Sequence, residues 1–511
     1  MREIELKLEL DAAQEKRLRN SAALRARSQG RARTETLHSV YYDTADHALR
    51  AAGIALRLRK AGRRWIQTVK QAAGPMQNGL SEPLEDEAPV PGPNLRPERI
   101  TDDDLREQVL GAVHQGINPI VETRFKRTKR DLSLPGGGMA ELAIDVGEVV
   151  GGGRAAPLTE VELELKSGRP ASLYELAAEL IDRGPVRFSE VSKSERALAL
   201  LNGTAALPRA VRKARNVQIS PGDTAEAAAT AILSEALAHY LPNVALLLES
   251  DGPDGPHQVR VSLRRLRSAL SAFRPVLGEG AIALWADAAR ELGGRVGALR
   301  DLDVLSGELI APHTGDTGTA ALLKALDAQQ EVVRADVRAH LASGLVTRWG
   351  LTLAAWLAGR GWLDADDHTQ TARLAQPVGP FAARVLDKRF KKVAAYGRRI
   401  DDLTIDERHE MRKELKKFRY MVEAFRTLYD PDTVKAYLRQ IKDLQEAFGA
   451  LNDAAMAEAV LTAGDAPWQR NAGATMAAGR VLGRLEAGAD ALWPQAARGW
   501  ARLSALKKYW R

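Results

Sequence analysis

At 511 residues the chain is longer than one hydrophobic core usually organises, so two or more domains are expected. Its composition, 45% hydrophobic and 27% charged, is that of a globular protein, and no run approaches the roughly eighteen apolar residues of a membrane span. The absence of cysteine excludes disulfides and thiolate metal sites, so a metal would sit on oxygen or imidazole, which favours a hard cation such as Mg2+ or Mn2+.

The first residues, Met1-Arg2-Glu3-Ile4-Glu5, lack the apolar stretch of a secretion signal, and a cytoplasmic, membrane-free location is expected. The net charge of +8 is uneven: residues 1–202 carry 31 Lys and Arg against 30 Asp and Glu, and the remainder 43 against 36. A basic surplus in the second half points to an anionic partner there.

Up to about Asn202, short segments alternate at period two between Gly, Pro and Asp clusters: Arg2–Leu10, Ala55–Arg59, Trp65–Lys70, Met139–Val146 and Thr159–Leu165. Helical patches are expected near Ala12–Gln29 and Ser172–Ile181. In the strands, Glu3, Glu5 and Lys7 share one face, as do Arg57 and Arg59, Glu141 and Asp145, and Glu160, Glu162 and Glu164. A single such strand is explained by a sheet with one wet face. Several strands with the two signs segregated suggest instead an antiparallel sheet closed into a β-barrel, charged face inward, with an acidic metal-holding wall and a basic anion-holding wall.

These segments resemble the CYTH domain, the triphosphate tunnel metalloenzyme family of inorganic triphosphatases, thiamine triphosphatases and a class of adenylate cyclases. The resemblance rests on Glu3-Ile4-Glu5-Leu6-Lys7 as ExExK, Tyr41-Tyr42-Asp43-Thr44, Leu56-Arg57-Leu58-Arg59-Lys60, Trp65–Lys70, FKRTKR around Arg127, Glu141–Asp145, the Glu160–Glu164 strand and Ser192-Lys193-Ser194-Glu195-Arg196. It implies metal-assisted hydrolysis, with Glu3, Glu5 and Lys7 catalytic. Glu3, Glu5, Asp145, Glu160, Glu162 and Glu164 would hold one or two metals. Lys7, Arg57, Arg59, Lys70, Arg127 and Lys193 would bind phosphoryl oxygens. Arg124 is the alternative to Arg127, and Glu85 or Glu87 a further acidic contact.

Residues 203–223, polar and basic with Pro208, Pro221 and Gly222, are the expected linker. From Thr224 onward, Ala, Leu and Arg recur at helical spacing, and an all-α bundle is expected over 224–511. It contains a repeat, about 224–345 and 380–511: HQVRVSLRRLRSALSAF from His257 aligns with HEMRKELKKFRYMVEAF from His409 at an offset of 152, and Asp301 and Asp453 follow at equal distances. Two similar halves facing each other across a pseudo-twofold axis are expected. On a helix His257, Arg260, Arg264 and Arg267 fall in one sector, as do His409, Arg412, Lys416 and Arg419, each beside an apolar stripe. A solvated face explains one such stripe; a duplicated, His-headed one with few acidic partners points to a ligand.

The helical half is similar to the CHAD domain, a module associated with polyphosphate binding, through HxxRVxxRRLR, LRDLDV and LND. That resemblance implies a polyphosphate site of His257, Arg260, Arg264, Arg265, Arg267, His409, Arg412, Lys413, Lys416, Lys417 and Arg419, with Lys388-Arg389-Phe390-Lys391-Lys392 widening it. Inorganic triphosphate and polyphosphate are the expected partners, polyphosphate granules among them, and sparse aromatics in the stripes argue against nucleic acid. Trp349 and Trp356, and Trp493 and Trp500, read as packing. Gly136–Gly138 and Gly151–Gly153 read as turns.

Overall fold

The computed structural model describes all residues except 1, 2, 73, 75, 77, 207–209, 314 and 465, so Arg2 of the first expected strand and Pro208 of the expected linker lie outside the described residues. The chain forms two compact units: Met1–Ala210 with Leu341–Gly361, and Val211–His340 with Trp362–Arg511.

The strands are β1 (Glu5–Glu9), β2 (Ser28–Thr44), β3 (Ile54–Ala61), β4 (Arg64–Gln71), β5 (Leu80–Ser81), β6 (Leu84–Val90), β7 (Ile117–Ser133), β8 (Met139–Gly151), β9 (Arg154–Ser167) and β10 (Arg187–Phe188). The helices of the first half are α1 (Ala12–Asn20), α2 (Ala22–Arg27), α3 (Ala48–Ala51), α4 (Asp103–Gly116), α5 (Ala171–Leu180) and α6 (Lys193–Leu201). Those of the second are α7 (Ala225–Glu249), α8 (Asp254–Leu277), α9 (Glu279–Asp303), α10 (Thr317–Leu341), α11 (Gly344–Ala358), α12 (Gln370–Ala375), α13 (Val378–Gly397), α14 (Ile405–Ala424), α15 (Pro431–Leu461) and α16 (Ala472–Ala505).

One antiparallel sheet organises the first unit, in the order β10-β1-β9-β8-β7-β2-β3-β4-β6. It curls as a half-barrel: the segment leading into β6 meets β1 along a short stretch, through the two residues of β5 and a bond from Lys7 N–H to the Gly79 carbonyl at 2.9 Å. The expected helix over 12–29 is broken at Ser21, whose side chain caps α2, and the chain is already in β2 at Ser28. The glycine triplets mark turns, with Gly151 still the last residue of β8: Gly136, Gly137, Gly138, Gly152 and Gly153 all have positive φ.

Apolar residues of opposite parity to the charged ones face the helices, as for Leu56 and Val69 beneath Leu105 and Val109 of α4. Helix α6 packs with Phe125 and Tyr41 through Ala197 and Leu198. Its backbone comes so near β8 that a Cβ on Gly151 would stand 2.1 Å from the Ala197 carbonyl oxygen. Helix α11 also belongs to this unit and packs on α5; Thr347 donates to the Gly184 carbonyl at 2.7 Å.

The second unit is helical, and its two halves, α7–α10 and α13–α16, repeat. Ala225 N–H donates to Gln376 O at 2.8 Å and Val378 N–H to Asp223 O at 3.0 Å, so the chain entering α7 and the chain entering α13 pair as an antiparallel bridge. Phe273 of α8 meets its repeat counterpart Phe425 edge to face, ring centroids 6.0 Å apart. Helix α7 is long and apolar enough to cross a membrane by length and composition, which runs of consecutive apolar residues do not reveal, and 67% of that window is buried inside the protein. Trp493 and Trp500 pack as expected, against Phe448 and Phe390.

Candidate functional site

Strand alternation puts one row of side chains per strand on the concave face of the sheet, and pairing lines the rows up. Glu5, Lys7 and Glu9 stand opposite Glu164, Glu162 and Glu160; Glu141 and Asp145 continue the acidic row to Glu164 and Glu160. Arg127 lies opposite Asp145, and Tyr41 and Ser39 opposite Arg57 and Arg59. Lys70 lies opposite Glu85 and Thr68 opposite Glu87, which brings both expected extra carboxylates to this face. Parity also decides between the two candidate arginines of β7: Arg127 points inward, whereas Arg124 faces out against Glu122 and Glu148. The face encloses a cavity of about 380 Å³ lined by Glu5, Lys7, Arg57, Arg59, Lys193 and Tyr41 among others.

The predicted metal ligands fall into separate groups. Oxygens of Asp145, Glu160 and Glu162 lie within 4.8 Å of one another, in a buried cluster. Glu5 is buried, 2.8 Å from Lys7 Nζ, and accepts from Ser81 Oγ at 3.1 Å. Glu3 precedes β1 and shares a hydrogen bond with Glu85; burial, and then that bond, push its carboxyl up to about 7. Glu85 is held down at about 2, because Lys70 and Arg57 outweigh its burial. Glu164 stands at the rim with Lys166.

The triad is neutralised from within the chain. Lys193, the first residue of α6, ion-pairs with Glu160, with Glu162 at 2.6 Å and with Asp145 at 3.1 Å. Arg127 forks onto Asp145 at 2.7 and 2.6 Å and reaches Glu162 at 2.5 Å. Burial opposes these charges, but Glu162 is still held well below the usual carboxylate range by Arg127, Lys193 and Lys7. Lys193 and Lys7 are raised by their carboxylates against the same burial. Three carboxylates at this spacing fit a hard divalent cation by donor type, and they would hold it here in exchange for one or more of these ammonium and guanidinium contacts.

On the opposite wall the balance is reversed. Arg59 donates to Ser39 Oγ at 3.2 Å and, among the described residues, has no carboxylate at ion-pair distance. Burial, with Arg57 and Arg127 nearby, lowers its guanidinium to about 10. Arg57 hydrogen-bonds the Tyr41 hydroxyl and stands 3.6 Å from Glu85. Tyr41 is lowered on balance, Arg57 and Arg59 outweighing its burial. Tyr41 and Arg196 are site residues that sequence reasoning quoted as motif but gave no role. Arg196 is buried and holds Glu9 at 2.7 Å and Glu160 at 3.0 Å.

In the helical unit the two stripes are divided. Arg260, Arg264, Arg412 and Lys416 come within electrostatic reach of one another, two from each repeat. Burial, then Arg412, Arg264 and Arg260, lower Lys416 to about 6. Arg412 is lowered to about 10 by burial and by Arg264. Asp301 pairs with Arg260 at 2.5 Å, whereas Arg412 donates to Asn452 at 2.6 Å and Asp453 acts on it only through space.

The other predicted members are engaged elsewhere. Arg265 pairs with Glu423, Lys413 with Glu410, Lys417 with Glu414, and Arg419 bonds Gln445 and Glu423. Arg267 stands near Arg290 and Asp287, while His257 and His409 sit half-buried or exposed toward the stripe's start, lowered by burial and then by neighbouring cations. Arg389 of the basic run is buried against Ser271 and Glu414 and does not widen the patch. Tyr420, a hydrogen-bond partner of Arg264, was not legible, since its repeat counterpart is Ser268.

Family models match the chain in two places: that of the CYTH domain over residues 1–198 and that of the CHAD domain over residues 231–462. Among solved structures, the CHAD domain from the plant Ricinus communis is 28% identical, covering 58% of this chain and 98% of that one at a TM-score of 0.51. A putative adenylyl cyclase from Hippeastrum, described as having a dominant triphosphatase activity, is 20% identical over 40% of this chain and 98% of its own, at 0.29. PptA from Streptomyces chartreusis is 17% identical over 55% of this chain and 100% of its own, at 0.40. A search of curated proteins gave no match.

Proposed function

Because this chain carries a CYTH domain followed by a CHAD domain, we propose that its tunnel hydrolyses inorganic triphosphate to diphosphate and phosphate, and that its helical unit binds longer polyphosphate. The observation that carries the first part is the segregated wall: Arg59 without a carboxylate, beside Arg57, facing a carboxylate triad.

Arg57, Arg59 and Lys70 bind the phosphoryl oxygens, the arginines through forks that fix orientation as well as charge. Glu5, held by Lys7 and Ser81, orients the attacking water, whose oxygen bonds the terminal phosphorus as its proton passes to solvent, the bridging P–O bond breaks and diphosphate leaves with the electron pair. Little covalent work is asked of the protein; positioning and fixed charge lower the barrier. Asp145, Glu160 and Glu162 are the residues to hold Mg2+ or Mn2+, which when bound supplies Lewis-acid polarisation and a more acidic water. In the helical unit, three mutually repelling arginines, with Lys416 whose ammonium they disfavour, gain most from a polyanion that bridges them.

Purified full-length protein is expected to release phosphate from tripolyphosphate only when Mg2+ or Mn2+ is present; no metal-dependent release would overturn the hydrolytic reading. A panel including ATP and thiamine triphosphate, with cyclic AMP as a second readout, separates the cyclase and thiamine triphosphatase alternatives. A second reading, a non-catalytic polyphosphate holder or granule-targeting protein in the cytoplasm, is favoured by one observation: Lys193 and Arg127 already ion-pair with all three carboxylates of the triad. On that reading Glu5→Gln leaves polyphosphate binding and granule association intact and removes no activity.

A further inference from the structure

The convex face of the sheet, opposite the tunnel, carries a second charged cavity. Its volume is about 360 Å³ and its lining includes Arg19 of α1, Lys126, Thr128 and Arg130 of β7, and Thr34 of β2, over a floor of Leu142 and Ile144. Residues 126, 128 and 130 have the opposite parity to Arg127 and Lys129, so this row never shares the tunnel.

The recess has a structural cause. The β2–β7 register slips between Gln29 and Arg33, leaving residues 30–32 outside the ladder, and Gly30 takes a φ of 75° there. Such an irregularity bends a strand and turns side chains away from regular pairing. Beside it Arg130 Nη1 donates to Ser28 Oγ at 3.0 Å, Arg19 Nη1 to Thr128 Oγ1 at 3.2 Å, and the Thr34 and Thr128 hydroxyls lie 3.4 Å apart.

Charge separates this recess from its surroundings. Several nearby guanidinium groups meet a carboxylate: Arg17 with Asp182, Arg27 with Glu179, Arg124 with Glu122 and Glu148. Arg19 meets Glu15. Among the described residues neither Lys126 nor Arg130 has a carboxylate at ion-pair distance, and the cavity lining contains none. Three cations, two hydroxyls and no carboxylate in the lining make a donor-rich concavity, which suits a ligand made of acceptors alone.

We propose that this recess is an oxyanion site for inorganic phosphate or diphosphate, with Arg130 and Lys126 as the principal contacts and Arg19, Thr34 and Thr128 completing the donor set. It is separate from the tunnel and does not depend on the tunnel's being catalytic. The test is site-resolved phenylglyoxal labelling of the full-length protein, read by peptide mapping at Arg130, with and without diphosphate or phosphate.

Diphosphate is expected to slow labelling of Arg130 by about fivefold or more, the size of effect that one or two charge-assisted hydrogen bonds give. Lys126→Gln, an exposed change, should reduce that protection to less than about twofold while leaving thermal unfolding unchanged. Arg57→Gln, in the tunnel, should leave it intact. Equal labelling with and without diphosphate, or equal protection by chloride at matched ionic strength, would overturn the proposal. So would protection lost in Arg57→Gln and retained in Lys126→Gln, which would trace it to the tunnel.

Discussion

Two arginines of one tunnel do opposite work, and their partners say which. Arg127 is sandwiched by Asp145 and Glu162, both poorly exposed, so Arg127→Gln removes a fork of charge-assisted bonds and leaves the two carboxylates chiefly to Lys193, at an expected cost of roughly 2–3 kcal/mol of stability, measured by denaturant unfolding. Arg59 has the Ser39 hydroxyl to lose and, among the described residues, no carboxylate at ion-pair distance. Arg59→Gln should therefore leave unfolding within about 1 kcal/mol of the parent, yet lower kcat/KM for tripolyphosphate by roughly 10- to 100-fold, the worth of charge-assisted bonds to substrate. Lys416 gives a pH prediction. Its folded value of about 6 lies far below the ordinary ~10.4, so between these values the unfolded chain binds the extra proton and stability rises with pH. A polyphosphate chain favours the ammonium, so binding near pH 7.5, above that folded value, should take up a proton, seen as a buffer-dependent heat in calorimetry. Lys416→Arg should remove the uptake while keeping the binding.

At the scale of the element, α6 shows how local sequence sets a site. Ser192 and Glu195 form a reciprocal capping box, Ser192 Oγ accepting from Glu195 N–H at 3.2 Å and the Glu195 carboxylate from Ser192 N–H at 3.0 Å. The residue after the cap is Lys193, so the cap fixes where its ammonium enters the triad. Ser192→Ala should cost about 1 kcal/mol, visible as a lower Tm, and should lower kcat/KM while Lys193 itself is unchanged. The strands show what was legible. Alternation over Glu3–Lys7, Arg57–Arg59 and Glu160–Glu164 exposes which residues share a face, because the period of a strand is a property of one segment. The pairing of Lys70 with Glu85, the clamp of Lys193 on Asp145 and the contact of Arg196 with Glu9 are set by register and by distant helices, which no single segment contains. Glu85 was therefore readable only as an extra carboxylate, and Arg196 only as part of a motif.

For the whole molecule, duplication was readable because two segments align without a gap at an offset of 152, and the contact of Phe273 with its counterpart Phe425 agrees with it. The allegiance of α11 was not. Its apolar spacing is that of any bundle helix, yet it packs on α5 in the tunnel unit, so the chain leaves the helical unit at Leu341 and returns at Trp362. A cut at the linker thus divides the sequence where composition changes but not where packing does. Fragment 1–210 would lose cover from an α5 in which Leu173, Leu176, Ala177 and Leu180 are buried in the full chain. Each large apolar side chain bared costs about 1.5–3 kcal/mol. Fragment 224–511 would in turn expose an α11 whose Val346, Trp349, Leu353 and Leu357 are buried. We expect fragment 1–210 to unfold at a markedly lower denaturant concentration than the same fragment with residues 341–361 appended through a Gly/Ser linker. Equal midpoints would show that α11 contributes nothing to the tunnel unit. If the midpoints differ, point variants in the full chain, rather than domain deletions, are what can separate cleavage in the tunnel from binding by the helices.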